Sequence, residues 1–144
     1  MPSMGFVQQL ATGAMMTIQV AVCAYLLALA IGTFFALITL RPTWLARIVW
    51  IPYASIFTGV PSLLVGFLFY YGGSQIVAGL LAPFGIGQRI EVTPFMAAVA
   101  ALGMVYGAYL ADLIRSAIQN VPHGQFEAAR VLLVPRSAIW LKVI

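Results

Sequence analysis

The sequence predicts an all-α integral membrane fold: three transmembrane helices followed by a short polar helix. Three observations carry it. The 144 residues are 63% hydrophobic and 7% charged, with a mean hydropathy of +1.05, whereas a soluble domain carries roughly 25% charged residues. Apolar runs of spanning length recur at 11–40, 48–71 and 94–118. After Gln119 the chain turns polar, in "NVPHGQFEAARVLLVPRS" (120–137).

Residues 1–40 hold no charged side chain, and the run Ala11 to Leu40 covers roughly 45 Å as a helix at about 1.5 Å per residue. The hydrocarbon core needs about 30 Å, so this span fits with tilt or with its ends among headgroups. It has no positive leader and no cleavage-site pattern, and reads as a mature span rather than a removed signal peptide. Cys23, the single cysteine, excludes an internal disulfide and a multi-cysteine metal site; its apolar setting predicts an inert buried thiol. "RPTWLAR" ends the span: Arg41 is charged, Pro42 disfavours helix before it, and Trp44 suits an interface.

The second span lies in "IVWIPYASIFTGVPSLLVGFLFYY" and carries Pro52, Gly59 and Pro61. Backbone groups freed in lipid must find internal partners, and Thr58 and Ser62 stand close enough in sequence to serve. Pro61 reads as a kink or a helix start inside a bundle. "YYGGSQ" marks the far interface, Gln75–Leu81 a short interfacial helix, and "APFGIGQRIE" a loop in which Arg89 and Glu91 cancel. Thr93 before Pro94 predicts an N-cap with proline in the first turn. The third span contains "GMVYG", Gly103 to Gly107, a small-xxx-small spacing that lets helices approach closely but also arises by chance. No soluble domain, repeat or low-complexity segment is visible.

Three spans put Arg41 and Arg47 on the same side as Arg115, Arg130, Arg136 and Lys142, leaving Arg89 on the other. The positive-inside bias places the N-terminus outside and the polar tail in the cytoplasm. The net charge of +4 is explained this way; no aromatic–basic platform for nucleic acid is present.

Asp112 and Arg115, three apart, share a helix face and can pair. An interfacial ion pair that sets depth and a polar lining of a pathway are both open readings, since an intramembrane carboxylate is costly and marks function or anchoring. Beyond the break at "VPHG", "QFEAARVLL" forms a short helix with Glu127 in its first turn, where the dipole favours an acid. Small Ala128 and Ala129 beside Leu132 and Leu133 suit a groove on a soluble partner; an amphipathic helix lying on the membrane is the other reading. His123 is a lone loop histidine without metal-ligand company. No phosphate loop with its lysine occurs, so the sequence does not support ATP binding by this chain.

The segment "GAYLADLIRSAIQNVPHGQFEAAR" resembles the signature of permease subunits of bacterial ABC importers, in the polar amino acid and opine branch. Ala108, Tyr109, Asp112, Arg115, Ala117, Ile118, Val121, Pro122, Gly124, Gln125, Glu127, Ala128 and Ala129 carry the likeness. "IFTGVPSLLVGFLFYYGG" is similar to that family's second-span motif, and the likeness spans nearly the whole chain.

The resemblance implies part of a type I ABC importer permease fold in the bacterial cytoplasmic membrane. It implies a partner permease, identical or paralogous, two cytoplasmic ATPase subunits, and a periplasmic or lipoprotein solute-binding protein. The polar segment becomes the coupling helix, with Gly124, Gln125, Glu127, Ala128, Ala129, Arg130 and Leu133 as its ATPase contact. Thr58, Pro61, Tyr109, Asp112 and Arg115 become candidates for the translocation pathway. The permease itself hydrolyses nothing and takes no cofactor.

Three departures stand out. Leu133 occupies a position where the family usually has glycine, which matters if φ is positive there. Thr58 replaces the arginine of the second-span motif. The chain stops at "LKVI" where the family continues with about two further spans, so a fragment or truncated product that transports little alone is expected. Two other classes compete: a permease for another solute such as methionine or sulfonate, and a non-transporting membrane scaffold or remnant. Under the coupling-helix reading a thiol introduced by Glu127→Cys reacts with impermeant maleimide only in inverted vesicles; reaction in intact spheroplasts would refute the topology.

Overall fold

The computed structural model describes residues 3–40, 43–84 and 92–135. Among the described residues five helices follow one another: α1 (Ser3–Thr39), α2 (Trp44–Gly59), α3 (Ser62–Leu81), α4 (Pro94–Gln119) and α5 (His123–Val131), with one 3₁₀ turn at Ala82–Phe84. Gly5–Thr39, Ser62–Gly79 and Pro94–Gln119 are long and apolar enough to cross a membrane. The loop carrying Arg89 and Glu91, together with Arg41, Pro42, Arg136 and Lys142, lies outside the described residues.

The packing is that of a bundle in lipid. The buried residues are small, chiefly alanine and glycine with Val65, Val105 and Trp50, and no polar or charged residue is buried among the described residues. Large apolar side chains such as Leu10, Leu26, Leu63 and Phe67 face outward, each more than half exposed. Lipid tails are as apolar as leucine, so helices associate through close backbone approach rather than apolar burial.

α1 against α4 is the most extensive contact. Ala24, Ala28, Gly32 and Ala36 form a small-residue ridge at four-residue spacing on α1 and are buried. Leu27 rests on Gly103 and Ile31 on Gly107, while Gly32 faces Leu110 and Ala111. Contacts advance in the same direction along both chains, so the helices run parallel. The "GMVYG" spacing is therefore a packing feature. α3 returns antiparallel to α4: Val65 packs with Ala101 and Val105, and Gly73 meets Val92.

α1 begins eight residues before the expected 11–40 span and runs 37 residues, roughly 55 Å at about 1.5 Å per residue. Thr12 and Thr17 fold their hydroxyls back onto the Gln8 and Gly13 carbonyls at 2.9 Å, which hides the only polar atoms of those residues' side chains. Residues 5–19 are exposed all round.

The second span differs from the 48–71 expectation. It is broken at Val60–Pro61, with α2 below the break and α3 continuing unbroken to Leu81. The separate interfacial helix at Gln75–Leu81 is thus the end of α3; Gly72, with only side-chain tips nearby, and Gly73, packed on Val92, do not interrupt it. Thr43 caps α2, its hydroxyl accepting from the Ala46 N–H. Thr93 caps α4 in the same way through Met96 N–H, with Pro94 in the first turn as expected. Cys23 is exposed rather than buried, because it faces away from the α1–α4 seam.

A Cβ on Gly32 would stand 2.7 Å from Leu110 Cβ and 3.2 Å from the Ala111 nitrogen and Gly107 oxygen. Backbone cannot yield as a side-chain tip can, so Gly32→Val should destabilise the bundle by about 1–3 kcal/mol. Gly13→Ala, with nothing near it, should be neutral or stabilising by up to about 1 kcal/mol. Thermal unfolding in detergent compares the two, and equal effects would contradict the seam.

Candidate functional site

Two places concentrate the polar chemistry of this chain. The first is the break in the second span. α2 ends at Gly59, Val60 is extended (φ −98°, ψ 134°), and Pro61, which cannot extend α2 because it lacks an N–H, starts α3. Its carbonyl accepts from Leu64 and Val65 N–H at 2.9 and 3.2 Å. The Thr58 hydroxyl donates to the Ala54 carbonyl at 2.7 Å, inside α2, rather than to a backbone group freed at the break.

A pocket of about 400 Å³ opens at this break, lined by Thr58, Pro61, Ser62 and the Gly59–Val60 backbone on one side, and by Val105, Tyr106 and Tyr109 of α4 on the other. The Tyr109 hydroxyl reaches the Thr58 carbonyl at 3.5 Å. Thr58 and Tyr109, 51 residues apart in sequence, therefore meet, and Pro61 lines the same pocket. Ser62 and Tyr106 join them. Tyr106 was legible as a partner of Tyr109 at i−3, on the same face.

Asp112 and Arg115 do not line this pocket. Asp112 is exposed and Arg115 half-buried, with its Nε buried and without a hydrogen-bond partner. The guanidinium is therefore not held by Asp112 through that nitrogen, and the expected pairing on the shared face is not made there.

The second place is α5. The chain leaves α4 at Asn120, turns through Val121 and Pro122, and enters α5 at His123. The helix starts earlier than the expected "QFEAARVLL": Gly124 is its second residue and not a break, and Glu127 is its fifth, beyond the first turn. Dipole stabilisation of Glu127, which fades within a turn, does not apply. Gly124, Gln125, Glu127, Ala128 and Arg130 are exposed, whereas Ala129 is buried.

Leu133 ends the helix with φ 53°, the one non-glycine residue with positive φ among the described residues. Leu133 N–H donates to the Arg130 carbonyl and Val134 N–H to the Ala129 carbonyl, both at 3.0 Å. That is the Schellman pattern, which usually takes glycine at its left-handed position. Leucine makes the turn against its own Cβ, at a cost of about 1–2 kcal/mol. Val131, Leu132 and Leu133 are 82%, 75% and 89% exposed, so the helix closes in a bare apolar end.

No protein-family model matches the chain. It is 37% identical to the nopaline transport system permease protein of Agrobacterium fabrum, over 88% of this chain and 54% of that protein. To the arginine ABC transporter permease protein of Escherichia coli it is 33% identical, over 94% of this chain and 62% of that one. A crystal structure of an amino acid ABC transporter with histidines shares its fold at a TM-score of 0.73, with 29% identity, over 98% of this chain and 61% of that one. The chain is a homologue of the amino acid and opine ABC permeases. It spans little more than half the length of these curated relatives. Because the structural match takes in all but a few residues, the helix break and α5 both lie within the permease fold.

The strained turn gives a direct test. Leu133→Gly should slow amide hydrogen exchange at Leu133 and Val134 by about fivefold, the equivalent of about 1 kcal/mol. Unchanged exchange would mean that the left-handed residue costs nothing.

Proposed function

We propose that this chain forms part of the permease subunit of an ATP-driven importer for a polar amino acid or opine. α5 is its coupling helix, and the pocket at the broken second span belongs to the solute pathway. The observation that carries the reading is the position of α5. It is a short, exposed helix holding Glu127, Ala128 and Ala129, lies outside all three candidate spans, and hangs directly from the third.

The parallel course of α1 and α4 supports the topology. It brings the C-terminal ends of both spans to one side, together with Arg47, Arg115 and Arg130. Under the positive-inside rule that side is the cytoplasm, which puts the N-terminus outside and α5 within reach of soluble ATPase subunits. A second permease, identical or paralogous, completes the pathway, and a solute-binding protein delivers from outside. Hydrolysis takes place in the ATPase subunits; relatives of this chain are permeases, not enzymes.

In this reading Gln125, Glu127, Ala128 and Arg130 offer the contact face, and the Leu133 turn sets where the helix stops. Thr58, Pro61 and Tyr109 line the pathway at the break. Asp112 and Arg115 lie further along α4, toward the coupling end. Leucine at a position where the family usually has glycine would favour the scaffold alternative. The left-handed turn is nonetheless formed with both of its hydrogen bonds, which favours a retained coupling element.

Co-expression of the full-length permease with its cognate ATPase and binding protein tests the proposal. Glu127→Lys should release the ATPase on affinity purification and lower uptake of labelled basic amino acids by about tenfold or more, as expected when a buried contact charge is reversed. Full retention and full uptake in that variant would favour the scaffold.

A further inference from the structure

Two tyrosines tie α2 to α4 in a reciprocal arrangement. Tyr53 of α2 donates its hydroxyl to the Met104 carbonyl of α4 at 2.7 Å; Tyr109 of α4 reaches back to the Thr58 carbonyl of α2 at 3.5 Å. The spacing is the same on each helix, five residues from tyrosine to acceptor or acceptor to tyrosine. The strengths are not. Bonds between oxygens centre near about 2.7–2.8 Å and are spent by about 3.5 Å, so the first is a full hydrogen bond and the second a marginal one.

Their surroundings differ in the same sense. The Tyr53 ring stacks on Phe35 of α1 at 4.6 Å and 14°, with Phe57 at 4.9 Å and Trp50 at 5.8 Å. Its hydroxyl lies 3.1 Å from where a Cβ on Gly107 would stand, so the glycine makes the approach possible. Tyr109 is half exposed and has Tyr106 as its aromatic neighbour, at 6.5 Å. Tyr53 does not line the pocket at the helix break.

We infer that Tyr53 is a positioning residue for that pocket: its hydroxyl on the Met104 carbonyl fixes α4 against α2, and so fixes where Tyr106 and Tyr109 stand opposite Thr58. The inference rests on the pocket belonging to the solute pathway. Tyr53 and Thr58 share unbroken α2, and Met104, Tyr106 and Tyr109 share unbroken α4, so displacement at the tether carries Thr58 and both tyrosines with it; Ser62 follows the break. Within hydrocarbon the hydroxyl has no water to exchange for the carbonyl. The marginal Tyr109 contact is then the side that yields when the pocket widens.

The test uses the full-length permease assembled with its ATPase in lipid nanodiscs, with native cysteines, Cys23 included, replaced by alanine. Ser62→Cys places a thiol on the pocket wall, and its rate of reaction with a cationic methanethiosulfonate is measured. Tyr53→Phe keeps the stacked ring and removes the tether. It should change that rate by about threefold or more while moving Tm by less than about 3 °C. Tyr53→4-aminophenylalanine, which restores a donor, should return the rate toward the original. In uptake assays the apparent KM should shift by a similar factor with the maximal rate held within about twofold.

If Tyr53→Phe does not assemble, Tyr53→4-fluorophenylalanine fills the same space without donating and takes its place. An unchanged thiol rate overturns the inference, as does a rate change that comes with a large fall in Tm and is not rescued by the amino variant. Ordinary uptake with unaltered reactivity would remove the positioning role and leave the transport reading. Altered and rescued reactivity in a complex that takes up no amino acid would do the reverse.

Discussion

The close approach of α1 and α4 is the constraint on which the rest of this structure depends. Lipid gives helices no apolar incentive to associate, so contact must come from dispersion between surfaces that fit. Gly32, Gly103 and Gly107 provide the fit, because each gives up its side chain where a neighbour's atoms already stand. With α4 seated on α1, its other faces are assigned: one to Val65 and α3, one to Tyr53 and α2, and one, bearing Tyr106 and Tyr109, to the pocket. The polar helix α5 then takes its place from the end of α4.

The broken second span is the complementary feature. A gap in a membrane helix exposes peptide groups that lipid cannot satisfy, and such gaps persist where protein or a cavity covers them. Here the break and α4 face each other across a pocket, and α2 turns its closed side to α1. Tyrosines are suited to such a place, since each has an apolar body and one hydroxyl that can serve a stray carbonyl. The aromatic cluster of Phe35, Trp50, Tyr53 and Phe57 packs the closed side.

Much of this was legible in the sequence, and the misses have physical causes. The third span, its Thr93 cap and Pro94 start, and the small-residue spacing at Gly103–Gly107 were read because each is a local signal with a local mechanism. The resemblance marked Leu133 as a position where the family usually has glycine and left the sign of φ open; it is positive. Pro61 was read as a kink or helix start and does start α3, whereas the separate helix expected at Gln75–Leu81 was an error, because Gly72 and Gly73 read as a boundary that α3 passes through. Glu127 was put in the first turn because Gly124 read as a breaker, whereas the second position of a helix tolerates glycine at little cost. Burial of Cys23 followed from composition, but in a bilayer an apolar run says nothing about which face meets protein. The Tyr53–Met104 contact had no local sign at all, since it joins residues 51 apart.

The link between α4 and α5 has a mechanical consequence. Only Asn120, Val121 and Pro122 separate the two helices, and three residues pulled straight reach about 10 Å. Most of that slack is already taken: Asn120 N–H is bonded to Ser116, and the Pro122 carbonyl accepts from Gln125 N–H. A joint so short leaves the two helices little freedom to move apart. If α5 is the coupling helix proposed above, a rotation imposed on it would pass to α4 and to the wall that bears Tyr106 and Tyr109.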